Sequence, residues 1–207
     1  MSRGVRTAST AAIASLALPL LVLSMPAPTC AQTTAAPAEA PSAPTVRRWF
    51  VPDRWYLQAG AGDDVDTATA GLIWELDRGW TAFGGARVTA TTEVSIGRWH
   101  VDDAGGSASS TNTQFGFTPT LRMTSSGALG VFGELGIGVN VIAPLYRTDD
   151  KRFSTAFNFG NHLGVGFRPW GPTGAELSLR AQHFSNAGIK QPNPGENFLQ
   201  LRWSQPL

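Results

Sequence analysis

The sequence is poor in cysteine and histidine. It has no cluster of basic residues and no apolar run long enough to cross a bilayer as a helix. The single cysteine, Cys30, rules out an internal disulfide framework and a Cys-rich metal site. The three histidines, His100, His162 and His183, do not stand at metal-ligand spacing with carboxylates, so neither a metal nor any other cofactor is expected. Sixteen Lys and Arg face fifteen Asp and Glu, with no Arg/Lys-rich run, and this excludes nucleic acid as a partner.

The longest apolar run, Ala11 to Leu23, follows Arg3 and Arg6 and gives way to Pro26 and Pro28. A positive start, a short apolar stretch and small residues at Thr29 and Ala31 read as an export signal over 1–31, cleaved after Ala31. Lipidation at Cys30 is the alternative, but Ala27-Pro28-Thr29 is a poor lipoprotein box. Cleavage after Ala31 removes Cys30, Arg3 and Arg6 and takes the formal charge from +1 to −1. Residues 32–46, rich in Ala, Pro and Thr, cannot bury a core and read as a flexible segment. Residues 47–207 suit one domain.

What the chain does have, from Arg47 onward, is alternation. Segments of about ten residues with period-two hydrophobicity recur between clusters of Gly, Pro, Asp, Asn and Ser, which is the spacing of a transmembrane β-barrel. The expected strands are 55–62, 67–76, 91–101, 112–123, 130–141, 156–168, 175–185 and 196–205. In 130–141, Val131, Leu135, Ile137, Val139 and Val141 alternate with Glu134, Gly136, Gly138 and Asn140. In 175–185, Leu177, Leu179 and Ala181 alternate with Glu176, Ser178, Arg180 and Gln182. The fold class expected is all-β: an eight-stranded antiparallel barrel in the outer membrane of a bacterial cell. Glu134, Glu176, Arg122, Arg180 and Arg202 should form a neutralised interior network, with glycines at 136, 138, 160, 164 and 166 making room for it. A soluble sandwich or lipocalin-like barrel is the competing class, and the export signal favours the membrane. Pro119 should cause a bulge or a local break. Residues 77–90 fit no strand and are expected to form a long periplasmic turn. With both termini periplasmic, 62–66, 102–111, 142–155 and 186–195 become the external loops.

Chemistry concentrates in His183-Phe184-Ser185-Asn186-Ala187-Gly188. His183 and Ser185, two apart on a strand, share one face. By parity it is the lipid-facing side of Leu177, Leu179 and Ala181, where stability alone would not select polar residues. A serine hydroxyl becomes a competent nucleophile when an adjacent imidazole takes its proton, and a carboxylate that orients the imidazole completes a triad. Glu196, the only acidic residue after Glu176, should pair roughly across from Ser185. Asn186 and the backbone N–H of Gly188 are candidate oxyanion donors. On spacing alone, a histidine near a strand end followed by Ser-Asn-Ala-Gly also reads as interfacial decoration and ordinary turn chemistry. Asn161 is the polar exception among the odd, lipid-facing residues of 156–168. It is expected opposite residue 181, diagonal to His183, and so at the border of the site. His162 has interior parity, and His100 lies near the external rim.

The stretch His183 to Phe198, HFSNAGIKQPNPGENF, resembles the C-terminal signature of the lipid A 3-O-deacylase (PagL) family: His-x-Ser-Asn-Ala, then Pro-Asn, then Gly and a Glu. The resemblance extends loosely to Ala156-Phe157 and Leu163-Gly164. It implies an outer-membrane serine esterase that removes the 3-O-linked acyl chain of lipid A in the outer leaflet. Ser185 takes the place of the nucleophile, His183 that of the base, Glu196 that of the acid, and Asn186 with Gly188 that of the oxyanion donors. The partners implied are lipopolysaccharide and the outer membrane, with a second copy of the chain also carried as a candidate. A non-enzymatic small barrel serving adhesion or membrane integrity is the alternative function. Arg98, Arg147, Lys151, Arg152 and Lys190 lie near the external loops and are candidate contacts for the lipid A phosphates, or ordinary rim charges.

Overall fold

The computed structural model describes residues 50–101, 110–171 and 173–207. The expected signal, 1–31, and the Ala/Pro-rich segment, 32–46, lie outside the described residues. Eight strands follow in chain order: β1 (Arg54–Ala61), β2 (Val65–Thr81), β3 (Arg87–Val101), β4 (Ser110–Thr124), β5 (Phe132–Ala143), β6 (Phe157–Phe167), β7 (Glu176–Ser185) and β8 (Glu196–Pro206). Each pairs antiparallel with the next, and β1 pairs antiparallel with β8 from Arg54↔Pro206 to Ala61↔Leu199, which closes the barrel. Closure leaves no unpaired sheet edge, the condition for a sheet in hydrocarbon.

The alternation sorts every strand into an outer and an inner face. Outward stand Leu57, Val94, Ile96, Phe117, Leu121, Leu135, Ile137, Val165, Leu179 and Leu201, all exposed. An edge-on pair, Trp55 and Trp203, lies 5.0 Å apart near the start of β1 and the end of β8, as in the aromatic girdle of a membrane barrel.

The interior is solid and has two layers. The lower one is ionic. The Arg122 guanidinium donates to Glu176 at 2.9 Å and to Glu134 at 3.0 Å; Arg180 bridges Glu93 and Glu134; Arg202 donates to Glu93 at 2.9 Å. This is the expected network, enlarged by Glu93 and by Arg54, which lies 3.8 Å from Glu176. Buried charges hold only when paired and hydrogen-bonded, and here each carboxylate faces at least two guanidinium groups. Glycine makes room as expected: a Cβ on Gly136 would collide with the His162 ring. The upper layer is aromatic. Trp99, fully buried, meets Phe184 at 4.9 Å, Phe198 at 4.8 Å and Tyr146 at 5.3 Å, all edge-on. Tyr146 and Phe153 come from the loop after β5, which folds back into the barrel mouth.

One expectation, about the connection between β2 and β3, needs correction. Residues 77–90 are not a long turn. β2 continues to Thr81, β3 begins at Arg87, and one 3₁₀ turn, Phe83–Gly85, joins them. The register between Glu75↔Thr91 and Gly79↔Thr89 slips, so a bulge interrupts the period-two pattern that would have marked the strand. At Pro119 the second of the two expected outcomes, a local break, is found. Pairing to β5 drops out at Thr118 and Pro119, while Phe117↔Val139 and Thr120↔Gly136 keep one register.

Candidate active site

The odd residues of β7 lie on the outer face of the barrel. His183 is exposed on that face and Ser185, the last strand residue, half-exposed. Register places His183 between two asparagines: Asn161 of β6 on one side and Asn197 of β8 on the other. One row beyond, Ser185 stands opposite Phe159; one row below, Ala181 lies between Leu163 and Leu199. A polar row thus crosses three strands of an otherwise apolar wall.

The imidazole is held from one side. His183 Nδ1 lies 2.8 Å from Asn197 Oδ1. An amide oxygen can only accept, so the proton resides on Nδ1, and Nε2 keeps its lone pair for use as a base. The other side of the ring lies against Gly195, where a Cβ would come within 2.7 Å of His183 Cε1. Gly195 also has φ of 70°, so the position requires glycine twice over. Among the described residues the Ser185 hydroxyl has no hydrogen-bond partner, which leaves it open to Nε2 and to a substrate.

Glu196 does not join this group. It pairs with Phe184, one residue short of the expected register, and one residue flips a side chain to the other face. Its carboxylate is buried inside the mouth, where it accepts from Tyr146 Oη at 2.8 Å and from Lys151 Nζ at 3.1 Å. Lys151 in turn reaches Asp63 at 3.1 Å. The hydrogen bonds and charges of Asp63 and Glu196 outweigh burial and raise the Lys151 ammonium above its usual pKa. Burial and the Glu196 carboxylate raise the Tyr146 phenol.

The proposed oxyanion donors are also otherwise engaged. Asn186 is buried; its amide donates to Ser154 Oγ at 3.0 Å, Thr155 Oγ1 at 3.2 Å and the Lys190 carbonyl at 2.8 Å. Its Oδ1 accepts the Gly188 N–H at 3.0 Å, and its own N–H donates to Asn193 Oδ1 at 3.0 Å. Asn186 therefore ties the loop after β7 to the loop after β5. The neighbouring Ala187, at φ 53°, has a backbone N–H with no hydrogen bond among the described residues.

Asn161 lies nearer than expected: directly opposite His183, not diagonal to it. Its amide, on the membrane face, has no hydrogen-bond partner among the described residues. Asn197, Gly195 and Ala187 were missed in the sequence. Asn197 was within reach, since it shares the parity of Leu199, Leu201 and Trp203 on the lipid face.

The family model described as Lipid A 3-O-deacylase (PagL) matches residues 67–206. The chain belongs to this family. Its relatives include the Lipid A deacylase PagL of Bordetella bronchiseptica, 36% identical over 152 residues that cover 72% of this chain and 80% of the relative. The Lipid A deacylase PagL of Pseudomonas aeruginosa is 30% identical over 147 residues, 70% of this chain and 81% of that one. A crystal structure of the outer membrane enzyme PagL superposes with a TM-score of 0.63 at 27% identity, covering 74% of this chain and 99% of the other. The matched span includes β6, β7 and β8 in full.

Proposed function

We propose that this protein is an outer-membrane esterase that removes the 3-O-linked acyl chain of lipid A, with Ser185 as nucleophile, His183 as general base and Asn197 as the orienting group. The observation that carries this reading is the 2.8 Å bond from His183 Nδ1 to Asn197 Oδ1, on the membrane face of a PagL-family barrel and two residues from Ser185. Residues 1–31 serve as the export signal that such a location requires.

The chemistry follows from the tautomer. Nε2 of His183 takes the Ser185 proton as Oγ attacks the acyl carbonyl, and the imidazolium returns that proton to the departing sugar oxygen. The Asn197 amide oxygen holds the ring and stabilises the imidazolium through its dipole. A carboxylate would do so through its charge, and Glu196 is turned away from the ring. Water then hydrolyses the acyl-enzyme by the reverse proton movements and releases a fatty acid. Two unengaged donors border the nucleophile, the Ala187 N–H and the Asn161 amide, and we assign them to the oxyanion and the substrate. Asn186 and Gly188 shape the turn that presents Ala187.

The test is release of the 3-linked acyl chain from purified lipopolysaccharide. Ser185→Ala and His183→Ala should each lower it by several orders of magnitude while the barrel still folds. Near-normal release by either variant refutes the assignment, and release from phospholipid but not lipid A refutes the substrate. A barrel whose wild type releases nothing belongs to the non-enzymatic class.

A further inference from the structure

The loop between β5 and β6 contains a short hairpin. Phe153 N–H donates to the Tyr146 carbonyl at 3.0 Å, and Thr148 N–H to the Lys151 carbonyl at 2.8 Å. Between these two bonds Arg147 and Arg152 form an antiparallel bridge. That pattern makes them a non-hydrogen-bonded pair, the closest kind of cross-strand neighbours, at about 4.5 Å between Cα atoms. Tyr146 and Phe153 turn into the barrel mouth, so Arg147 and Arg152 both turn out of it, and both are exposed. Two like charges directly opposite one another destabilise a hairpin. Among the described residues neither guanidinium forms an ion pair that would offset the repulsion.

The pair also lines a cleft of about 540 Å³ whose opposite wall is Gln191, Asn193 and the flanking prolines. Asp149 and Asp150 stand at the hairpin tip and also line the cleft. The anion therefore belongs beside the arginine pair, away from the tip. Both walls are fixed to the active-site strand. Asn186, the residue after Ser185, donates its amide to Ser154 and Thr155 behind the hairpin and its backbone N–H to Asn193 Oδ1.

We infer that Arg147 and Arg152 form a subsite for a phosphate monoester on the sugar headgroup of the lipid substrate. Two forked guanidinium groups at cross-strand spacing suit a dianionic, three-oxygen ligand, which would convert their mutual repulsion into charge-assisted hydrogen bonds. The inference names the headgroup for the activity proposed above and rests on that reading for the identity of the lipid.

The experiment is a binding measurement, so it does not depend on turnover. Ser185→Ala protein in detergent micelles is titrated with diphosphorylated lipid A, with the same lipid A stripped of phosphate, and with inorganic phosphate. Phosphorylated lipid A should bind at least about tenfold more tightly than the stripped form. Arg147→Gln combined with Arg152→Gln should abolish that difference and leave the stripped lipid unaffected. Both arginines are exposed, and the faster migration of an unheated, folded barrel checks that the fold is intact. A preference for phosphate that survives the double substitution, or that is absent with both arginines in place, overturns the subsite. Inorganic phosphate that binds the pair while the two lipids bind equally overturns the lipid assignment. If the preference holds but wild-type protein releases no acyl chain, the proposed activity fails and the subsite stands.

Discussion

Asn197 and Glu196 are adjacent in the chain and opposed in space, and the proposed mechanism gives them opposite roles. Asn197→Leu removes the acceptor of the His183 Nδ1–H bond but keeps a side chain suited to the membrane face. In the transition state that bond is made by an imidazolium, and a hydrogen bond to a charged group contributes about 1.5–3 kcal/mol. Its loss should lower kcat roughly 10- to 150-fold. KM should change little, because the bond strengthens only as charge develops on the ring. Asn197→Asp retains an acceptor oxygen at the same place and should keep at least the wild-type rate. Glu196→Gln tests the alternative. The amide still accepts from Tyr146, and Lys151 still has Asp63, so the variant should fold with a stability loss of roughly 1–3 kcal/mol and keep kcat within about threefold. Single-turnover acyl release from lipid A micelles measures both rates. If folded Glu196→Gln loses a hundredfold and Asn197→Leu does not, Glu196 is the orienting group and the Asn197 bond is incidental.

Gly195→Ala places a methyl 2.7 Å from the His183 ring and forces a Cβ into the left-handed region; it should lower acyl release at least about tenfold, while the melting transition moves little because the strain is confined to a loop end. Asn161→Leu removes a bare amide from the membrane face; turnover of lipid A should fall with the barrel no less stable, and unchanged kinetics would leave Asn161 outside the site. The staple of the β5–β6 loop depends on pH through Lys151 and Tyr146, both of whose folded pKa values are raised. Its contribution is complete below the ordinary pKa values near 10 and is lost as pH rises through the higher folded values. Protease cleavage within 144–156 should therefore appear only in strong alkali, and Lys151→Met should bring it to lower pH.

Much of this barrel is legible in the sequence, because one physical demand, lipid outside and paired charge inside, is repeated on every strand. The failures occur where that demand is relaxed or where register depends on a loop. The inner ends of β2 and β3 were lost because the slip after Glu75 breaks period two. The two site residues located by counting across hairpins show how such errors act. Asn161 was expected opposite residue 181 and lies opposite 183: an even slip, which leaves its face unchanged and brings it closer to the histidine. Glu196 was expected across from Ser185 and pairs with Phe184: an odd slip, which sends the carboxylate into the barrel mouth. The alternation of Asn197, Leu199, Leu201 and Trp203 already fixed that parity. A triad needs a carboxylate beside the histidine, but Glu196, the only acidic residue after Glu176, has the opposite parity. The aromatic layer was not legible at all, since Tyr146 and Phe153 come from a loop with no periodicity and acquire their place only when the loop folds back.

The two faces of β7 explain how the proposed catalytic pair, His183 and Ser185, could work from a membrane surface. A serine and a histidine two apart are useful only if the strand that carries them is rigid at the scale of a hydrogen bond. Along the same strand the buried inward residues are Glu176, Ser178, Arg180 and Phe184: two members of the ionic network, a small spacer, and a ring of the aromatic layer. Arg180 joins β7 to β3 and β5 through Glu93 and Glu134, and Phe184 joins it to Trp99 of β3 and Phe198 of β8. His183 and Ser185, the proposed catalytic residues, thus flank an inward neighbour, Phe184, fixed to two other strands. A water-filled lumen would provide no such support. On this argument Trp99→Ala, far from any lipid, should impair acyl release by loosening Phe184 and the loop behind Asn186. It should also lower stability by about 3–5 kcal/mol, the usual cost of truncating a buried aromatic. Denaturant-induced unfolding and acyl release, measured on the same preparation, check the pair of effects. Full activity in a barrel destabilised by that amount would show that the catalytic row is held by the sheet alone.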